Sequence, residues 1–368
     1  MKVLYITNGI IGAGGLERVL AIKASYLADT FGHEVHILTL NQGGQEPFYQ
    51  FSPKIILHDI AVGGHPVQYL QQYKNGIQSV VNGIKPNIIS VCDDGLKGFF
   101  LPLLLGNSCP VIYERHVSKI IAVGENPGFL KKIRTRIQFS MMNALAKRFD
   151  RFVVLTDENL SEWNLGNSIV ISNPLSFYPA ESSALNQKRV IAVGKQGYQK
   201  GYDLLLQAWH QTHERFPDWT LDIYGKFDQT QNLEGIRQKL QLQNAVHFHP
   251  PTKDIQTKYL ESSVYVMSSR FEGFGMVLIE AMACGVPCVS FNCPYGPSDI
   301  IANGSDGLLA KNGDVSDLAA KLATLMENDS MRVQMGKKAK ENVTRYHPDV
   351  IVKQWDALFK ELIAKNNK

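Results

Sequence analysis

At 368 residues, with 44% apolar and 20% charged side chains, the chain exceeds one ordinary core and points to two globular domains. A net charge of +4 without aromatic-interleaved basic runs excludes a nucleic-acid partner, and the longest apolar run, 99–105, contains Pro102 and cannot span a bilayer. No signal peptide is expected, because Val3 to Ile6 give way at once to Thr7 and Asn8.

Lys2 to Thr7 reads as a strand, Asn8 to Gly15 as a glycine-rich loop, 16–31 as a helix and Glu34 to Leu40 as a second strand. This is a Rossmann-like start, yet Gly9, Gly12, Gly14 and Gly15 do not make G-x-G-x-x-G, and no acid ends the second strand. Gly14-Gly15 fits either a close backbone approach to a ligand or a plain turn. Further strands are expected at 54–59, 87–91, 111–114 and 151–155, and His116 follows the third of these at its carboxyl end. The segment 129–151 carries Lys131, Lys132, Arg134, Arg136, Lys147, Arg148 and Arg151 among Leu130, Ile133, Ile137, Phe139, Met141 and Met142. It suits a basic amphipathic helix on an anionic membrane, and equally a surface helix whose apolar stripe packs inward. The polar, serine-rich stretch 174–188 reads as the linker between domains 1–173 and 189–348.

The pattern then restarts. Arg189 to Val193 is a strand, and the loop 194–201 holds Lys195 and Lys200 beside Gly194, Gly197 and Gly201. No Ser or Thr follows a Gly-Lys pair, so this is not a magnesium-binding P-loop; paired lysines can neutralise a diphosphate directly. A helix over 203–216 and a strand over 220–224 follow. Val264 to Met267 is a buried strand, and Arg270-Phe271-Glu272-Gly273-Phe274-Gly275 a loop. A helix over 276–284 carries Glu280, and 286–291 is the next strand. A helix N-terminus at the carboxyl end of a parallel strand is an anion site. With a carboxylate on each side of that turn, a sugar nucleotide is the expected guest. Cys284, Cys288 and Cys293 lack zinc spacing, and the five cysteines are expected to be reduced and packed. The final segment, 349–368, forms an aromatic-striped helix that must dock on a domain.

The stretch Arg-Phe-Glu-Gly-Phe-Gly-Met-Val-Leu-Ile-Glu-Ala-Met-Ala-Cys-Gly-Val-Pro, with Glu272 and Glu280 eight positions apart, resembles the signature of retaining glycosyltransferases of family 4. Gly14 to Arg18, Gly32 to Val35, Ile171 to Pro174, Val193 to Lys195 with Lys200-Gly201, and Gly304 to Leu309 agree in order. The resemblance implies an α/β GT-B fold, with two Rossmann-like domains facing across a cleft and a C-terminal helix returning to the first. It implies that Glu280 holds the ribose, Glu272 faces the transferred sugar, and the backbone of Gly273, Phe274 and Gly275 helps hold sugar and phosphates. Lys195 and Lys200 grip the diphosphate, Gly15 approaches it from the first domain, and His116 lies near the sugar. Lys195 stands where the family more often has Arg, which loses the bidentate fork. No metal and no cofactor are implied. The expected donor is a UDP-linked hexose or N-acetylhexosamine, and the acceptor a glycan or lipid-linked glycan of cell-surface polysaccharide or lipopolysaccharide synthesis. The expected location is cytoplasmic, peripheral on the inner membrane face through 129–151. A non-catalytic nucleotide-sugar-binding protein and a GT-B epimerase or phosphorylase are the competing readings.

Overall fold

The computed structural model describes every residue except 107, 123, 125–127 and 367–368, so the last two residues of the 349–368 segment lie outside it. The chain forms two units, one comprising 1–176 with 348–368 and the other 177–347.

Among its described residues the first unit holds seven strands: β1 Lys2–Thr7, β2 Glu34–Leu40, β3 Ile56–Ile60, β4 Ile88–Cys92, β5 Val111–Glu114, β6 Arg151–Val154 and β7 Ser168–Val170. They pair in parallel in the order β3-β2-β1-β4-β5-β6-β7, with Val3 opposite Val35 on one side and Ile88 on the other. The inner strands are buried and mostly apolar because both sheet faces are covered, as parallel sheets require, with Ser90 and Glu114 the polar side chains buried on β4 and β5. Tyr113, Phe152, Phe99 and Trp163 stack into one aromatic cluster, the Tyr113 and Phe152 rings lying 5.2 Å apart. The C-terminal helix, Pro348–Asn366, packs in this unit against the helix Gly15–Asp29. Its buried stripe of Ile351, Trp355, Leu358, Phe359 and Leu362 is core. His33 Nε2 meets Asp356 Oδ1 at 2.7 Å, and Tyr26 hydrogen-bonds Asp349.

The second unit holds β8 Arg189–Val193, β9 Thr220–Tyr224, β10 Val246–His249, β11 Val264–Met267, β12 Cys288–Asn292 and β13 Gly307–Lys311. These strands are also all parallel, in the order β10-β9-β8-β11-β12-β13. The two units are therefore both Rossmann-like. The strand order reverses between β1 and β4 in one and between β8 and β11 in the other, and ligands of such sheets bind beyond the carboxyl ends of the strands at that reversal.

Several boundaries differ from the sequence reading. The basic helix ends at Ala146 and does not run on to Arg151, because Arg151 opens β6 opposite Ile112. The units divide at 176–177, and much of 174–188 is tied to the second unit. There the Ser183 amide donates to the Cys284 carbonyl at 2.8 Å, and Arg332 donates to the Leu185 carbonyl. All five cysteines are free and buried.

Candidate active site

In the second unit the loops after β8 and β11 lie at the strand-order reversal and are bound to each other. Gly201 has φ of 59°, and a Cβ there would sit 2.2 Å from the Ser268 carbonyl oxygen, so only glycine allows this approach. The Ser268 hydroxyl donates to the Lys200 carbonyl at 2.8 Å, and the Arg270 amide donates to the Gln199 carbonyl at 2.8 Å. The Arg270 guanidinium forks onto Asp203 at 2.9 and 2.6 Å, donates to the Tyr198 carbonyl at 2.8 Å and covers the Tyr198 ring. The lysine loop cannot shift without moving the glutamate loop.

That framework brings Lys200 and Glu272 together, with Nζ 2.7 Å from Oε1. The Ser269 hydroxyl donates to the same oxygen at 2.5 Å, and Gln199 approaches Oε2 at 3.5 Å. Glu272 is nearly buried, and its amide donates to the Pro294 carbonyl at 2.6 Å. The ammonium of Lys200 has three N–H donors, so pairing with Glu272 leaves two. The buried phenol of Tyr202 is held well above its ordinary pKa, first by burial and then by the charge of Glu272. Lys195 lies apart from this pair. It is exposed and reaches Asp228 Oδ2 at 3.4 Å, while the Thr230 hydroxyl and amide, followed by Lys195, hold the Asp228 carboxyl below its usual value.

Gly273 is half-buried, whereas Phe274 is buried, with its ring edge-on to Tyr346 at 5.5 Å. Gly296, at φ of 110°, passes so close beneath Phe274 that a Cβ would fall 1.8 Å from the Phe274 carbonyl oxygen. Gly275, at φ of 103°, opens the helix Met276–Ala283 without a side-chain cap, which leaves the first amides to a ligand. Glu280 lies on that helix with no exposed surface, and the Tyr259 hydroxyl stands 3.4 Å from its Oε2. The ribose contact implied by the resemblance therefore requires a movement that bares this carboxylate.

In the first unit, His116 follows β5 and Gly15 opens the helix after the β1 loop, both at the carboxyl ends of strands. A Cβ at Gly15 would meet nothing within 4 Å, so no packing within the unit demands glycine there. At Gly12 and Gly14 it would strike the Glu17 carboxylate, which folds over the loop. His116 is nearly buried, its Nε2 lying 3.3 Å from Glu114 Oε2, while its Nδ1 is buried without a hydrogen-bond partner. Lys23 pairs with the same Glu114 oxygen, and Ser90 donates to the other at 2.5 Å. Burial alone would raise the Glu114 pKa, but Lys23 and then His116 override it and hold it at about 2. Cys92, Glu114 and His116 have donor atoms within 4.8 Å of one another, as a metal ion would need. The ammonium of Lys23 on Glu114 already supplies the positive charge at that point.

Lys23, Ser90 and Glu114, with Gln199, Asp203 and Ser269, escaped the sequence reading. The one available signal was Glu114 standing two residues before a singled-out histidine at the end of a strand.

The lysine and glutamate loops lie at the carboxyl ends of parallel strands on a Rossmann-like unit, and residues 178–342 match the family model of glycosyl transferases group 1. Two relatives are similar over nearly the whole chain. An uncharacterized glycosyltransferase of Haemophilus influenzae is 27% identical over 97% of this chain and 99% of its own. The amylovoran biosynthesis glycosyltransferase AmsD of Erwinia amylovora is 28% identical over 96% and 98%. Among solved structures, sucrose-phosphate synthase of Thermosynechococcus elongatus superposes with a TM-score of 0.84 at 19% identity, covering 99% of each chain. HepE of Anabaena, in complex with UDP and glucose, gives 0.80 at 18%, covering 98% of this chain and 100% of its own. These likenesses establish the GT-B fold.

Proposed function

We propose that this chain is a retaining, metal-independent glycosyltransferase of the family 4 type. It moves a hexose or N-acetylhexosamine from a UDP-linked donor to a glycan or lipid-linked acceptor in cell-surface polysaccharide synthesis. The glycosyltransferase class is supported by the group 1 domain and by both full-length relatives, one of them named for amylovoran biosynthesis. UDP as the nucleotide is supported by its presence in the complex of the HepE neighbour. The observation that carries the reading is the union of Lys200 with the glutamate loop at the carboxyl ends of β8 and β11. The place of action is the cytoplasm, on the inner membrane face, and no cofactor takes part.

In this reading the bond between the anomeric carbon and the diphosphate breaks as the acceptor oxygen approaches from the same face. The acceptor's proton passes to the departing phosphate. Charge grows on the diphosphate, and Lys200, Lys195 and the free amides at Gly275 stabilise it. Glu272, already bonded by Lys200 and Ser269, faces the sugar and is not a nucleophile. Glu280 binds the ribose, Gly273 and Phe274 contribute backbone to the donor, and Gly15 and His116 meet the donor from the first unit. The orphaned Nδ1 of His116 gains a partner if a sugar hydroxyl reaches it.

The test is slow donor hydrolysis across a panel of nucleotide sugars, with and without EDTA. One UDP-sugar is expected to release UDP at a rate unchanged by chelation. Lys200→Ala should lower that rate about tenfold to a hundredfold, the worth of one charge-assisted hydrogen bond. Binding of UDP with no release from any donor would overturn catalysis in favour of a binding protein.

A further inference from the structure

The helix Phe129–Ala146 is apolar on two opposite sides, and only one of them is packed. At about 100° per residue, Thr135, Met142, Leu145 and Ala146 share one side, and all four are buried. Phe129, Leu130, Ile133, Ile137 and Met141 fall within about 120° of one another, centred roughly 150° from the buried side. All five are exposed, Phe129 by 77% and Leu130 by 81%. The expectation of an apolar stripe turned inward therefore fails for these residues.

Two charges edge this outer stripe. Arg134 and Arg136 stand at its two sides, Lys132 lies further round beyond Arg136, and Lys131 is on the far side of the helix's first turn; all four are exposed. None of the four has a carboxylate partner among the described residues, and no Asp or Glu occurs from 129 to 149. An outward row of Phe, Leu, Ile and Met edged by arginines is what a helix lying in a membrane interface presents. Its apolar side chains enter the acyl boundary while the cationic heads stay at the level of the phosphates.

We infer that this outer face of the helix 129–146 docks on an anionic lipid bilayer. A second copy of the chain fits less well, because a two-fold contact through this face would bring its flanking arginines, Arg134 and Arg136, near their equivalents. The surface is read from the first unit alone; the inference rests on the proposed function only for which membrane face is meant.

The test is sedimentation of the full chain with vesicles of phosphatidylcholine, with and without phosphatidylglycerol. The chain is expected to pellet with the anionic vesicles, and weakly or not at all with the neutral ones. Changing Lys131, Lys132, Arg134 and Arg136 together to Ser should cut the partition about a hundredfold, each basic group near such a surface being worth about fivefold or less. Phe129→Ser with Leu130→Ser and Ile137→Ser should abolish it, and because these side chains are exposed the fold is kept. Donor hydrolysis should be unchanged in both variants. Equal pelleting on neutral vesicles, undiminished pelleting of either variant, or a dimer that the apolar variant dissolves would each overturn the inference. Absence of hydrolysis in every form would instead strike the proposed function and leave the lipid surface standing.

Discussion

Removing the ammonium of Lys23 tests how the first unit holds its own site together. Lys23 and Glu114 are each 1% exposed, and the same ammonium lies 4.0 Å from the centre of the Trp355 ring and 4.9 Å from that of Tyr5. One cation thus neutralises the acid that holds His116 and anchors the C-terminal helix through its aromatic face. Lys23→Met keeps most of the stem's volume but leaves a buried carboxylate without its counter-ion. Breaking a buried pair in this way costs about 3–5 kcal/mol, and the lost cation–π contact adds roughly 1 kcal/mol. For a unit of this size each kcal/mol lowers the melting temperature by about 2–4 °C, so a drop of roughly 8–24 °C is expected by scanning calorimetry. The double variant Lys23→Met with Glu114→Gln should recover much of the loss, because no charge then stays buried. A single variant melting within about 2 °C of the parent would refute the argument, as would a double variant no more stable than the single one.

The same acid sets a pH dependence. The pKa of Glu114 is about 2 in the fold against 4.5 ordinarily, so the stability it contributes is complete above pH 4.5 and is lost as pH falls through about 2. The shift amounts to roughly 3 kcal/mol, which urea titrations should reveal in that window and which Glu114→Gln should remove. The two glycines separate fold from function. Gly201→Ala places a Cβ 2.2 Å from a carbonyl oxygen and should cost at least about 2 kcal/mol in thermal unfolding. Gly15→Ala meets nothing within 4 Å and should change stability by less than about 0.5 kcal/mol while slowing donor turnover; unchanged turnover would remove Gly15 from the site.

What could be read from the residues follows burial. The strands Val111–Glu114, Arg189–Val193, Thr220–Tyr224 and Val264–Met267 fall where expected, since a parallel strand covered on both faces is a short β-branched run. The segments β7 and β10, each at one edge of its sheet, escaped because neither carries a full apolar β-branched run. Ser168–Val170 is three residues long, and Val246–His249 carries two histidines. Pairs formed across long sequence distances, such as Lys23 with Glu114 or Arg270 with Asp203, leave no local pattern. The helix Phe129–Ala146 shows the same limit from another side: its composition is plain in the sequence, but only packing decides which of two apolar faces is covered.

The two glutamates eight positions apart are distinguished by what already surrounds them. Glu272 is bonded by an ammonium and a hydroxyl at one oxygen, so its charge is balanced before any donor arrives and its nucleophilicity is low. Its clearest physical effect is on Lys200, whose ammonium it fixes at the carboxyl end of β8. A lysine so held loses less side-chain entropy on meeting a diphosphate than the exposed Lys195 does. Glu280 is wholly buried on the helix that begins at Gly275, so access to its carboxylate is coupled to movement of that helix or of Tyr259. The free amides of the same helix turn toward an incoming anion. On the proposed roles, a donor whose diphosphate draws on those amides and whose ribose needs Glu280 would therefore engage one rigid element at two points, its N-terminus and its middle, which would make nucleotide recognition at Glu280 and charge stabilisation at Gly275 a single event.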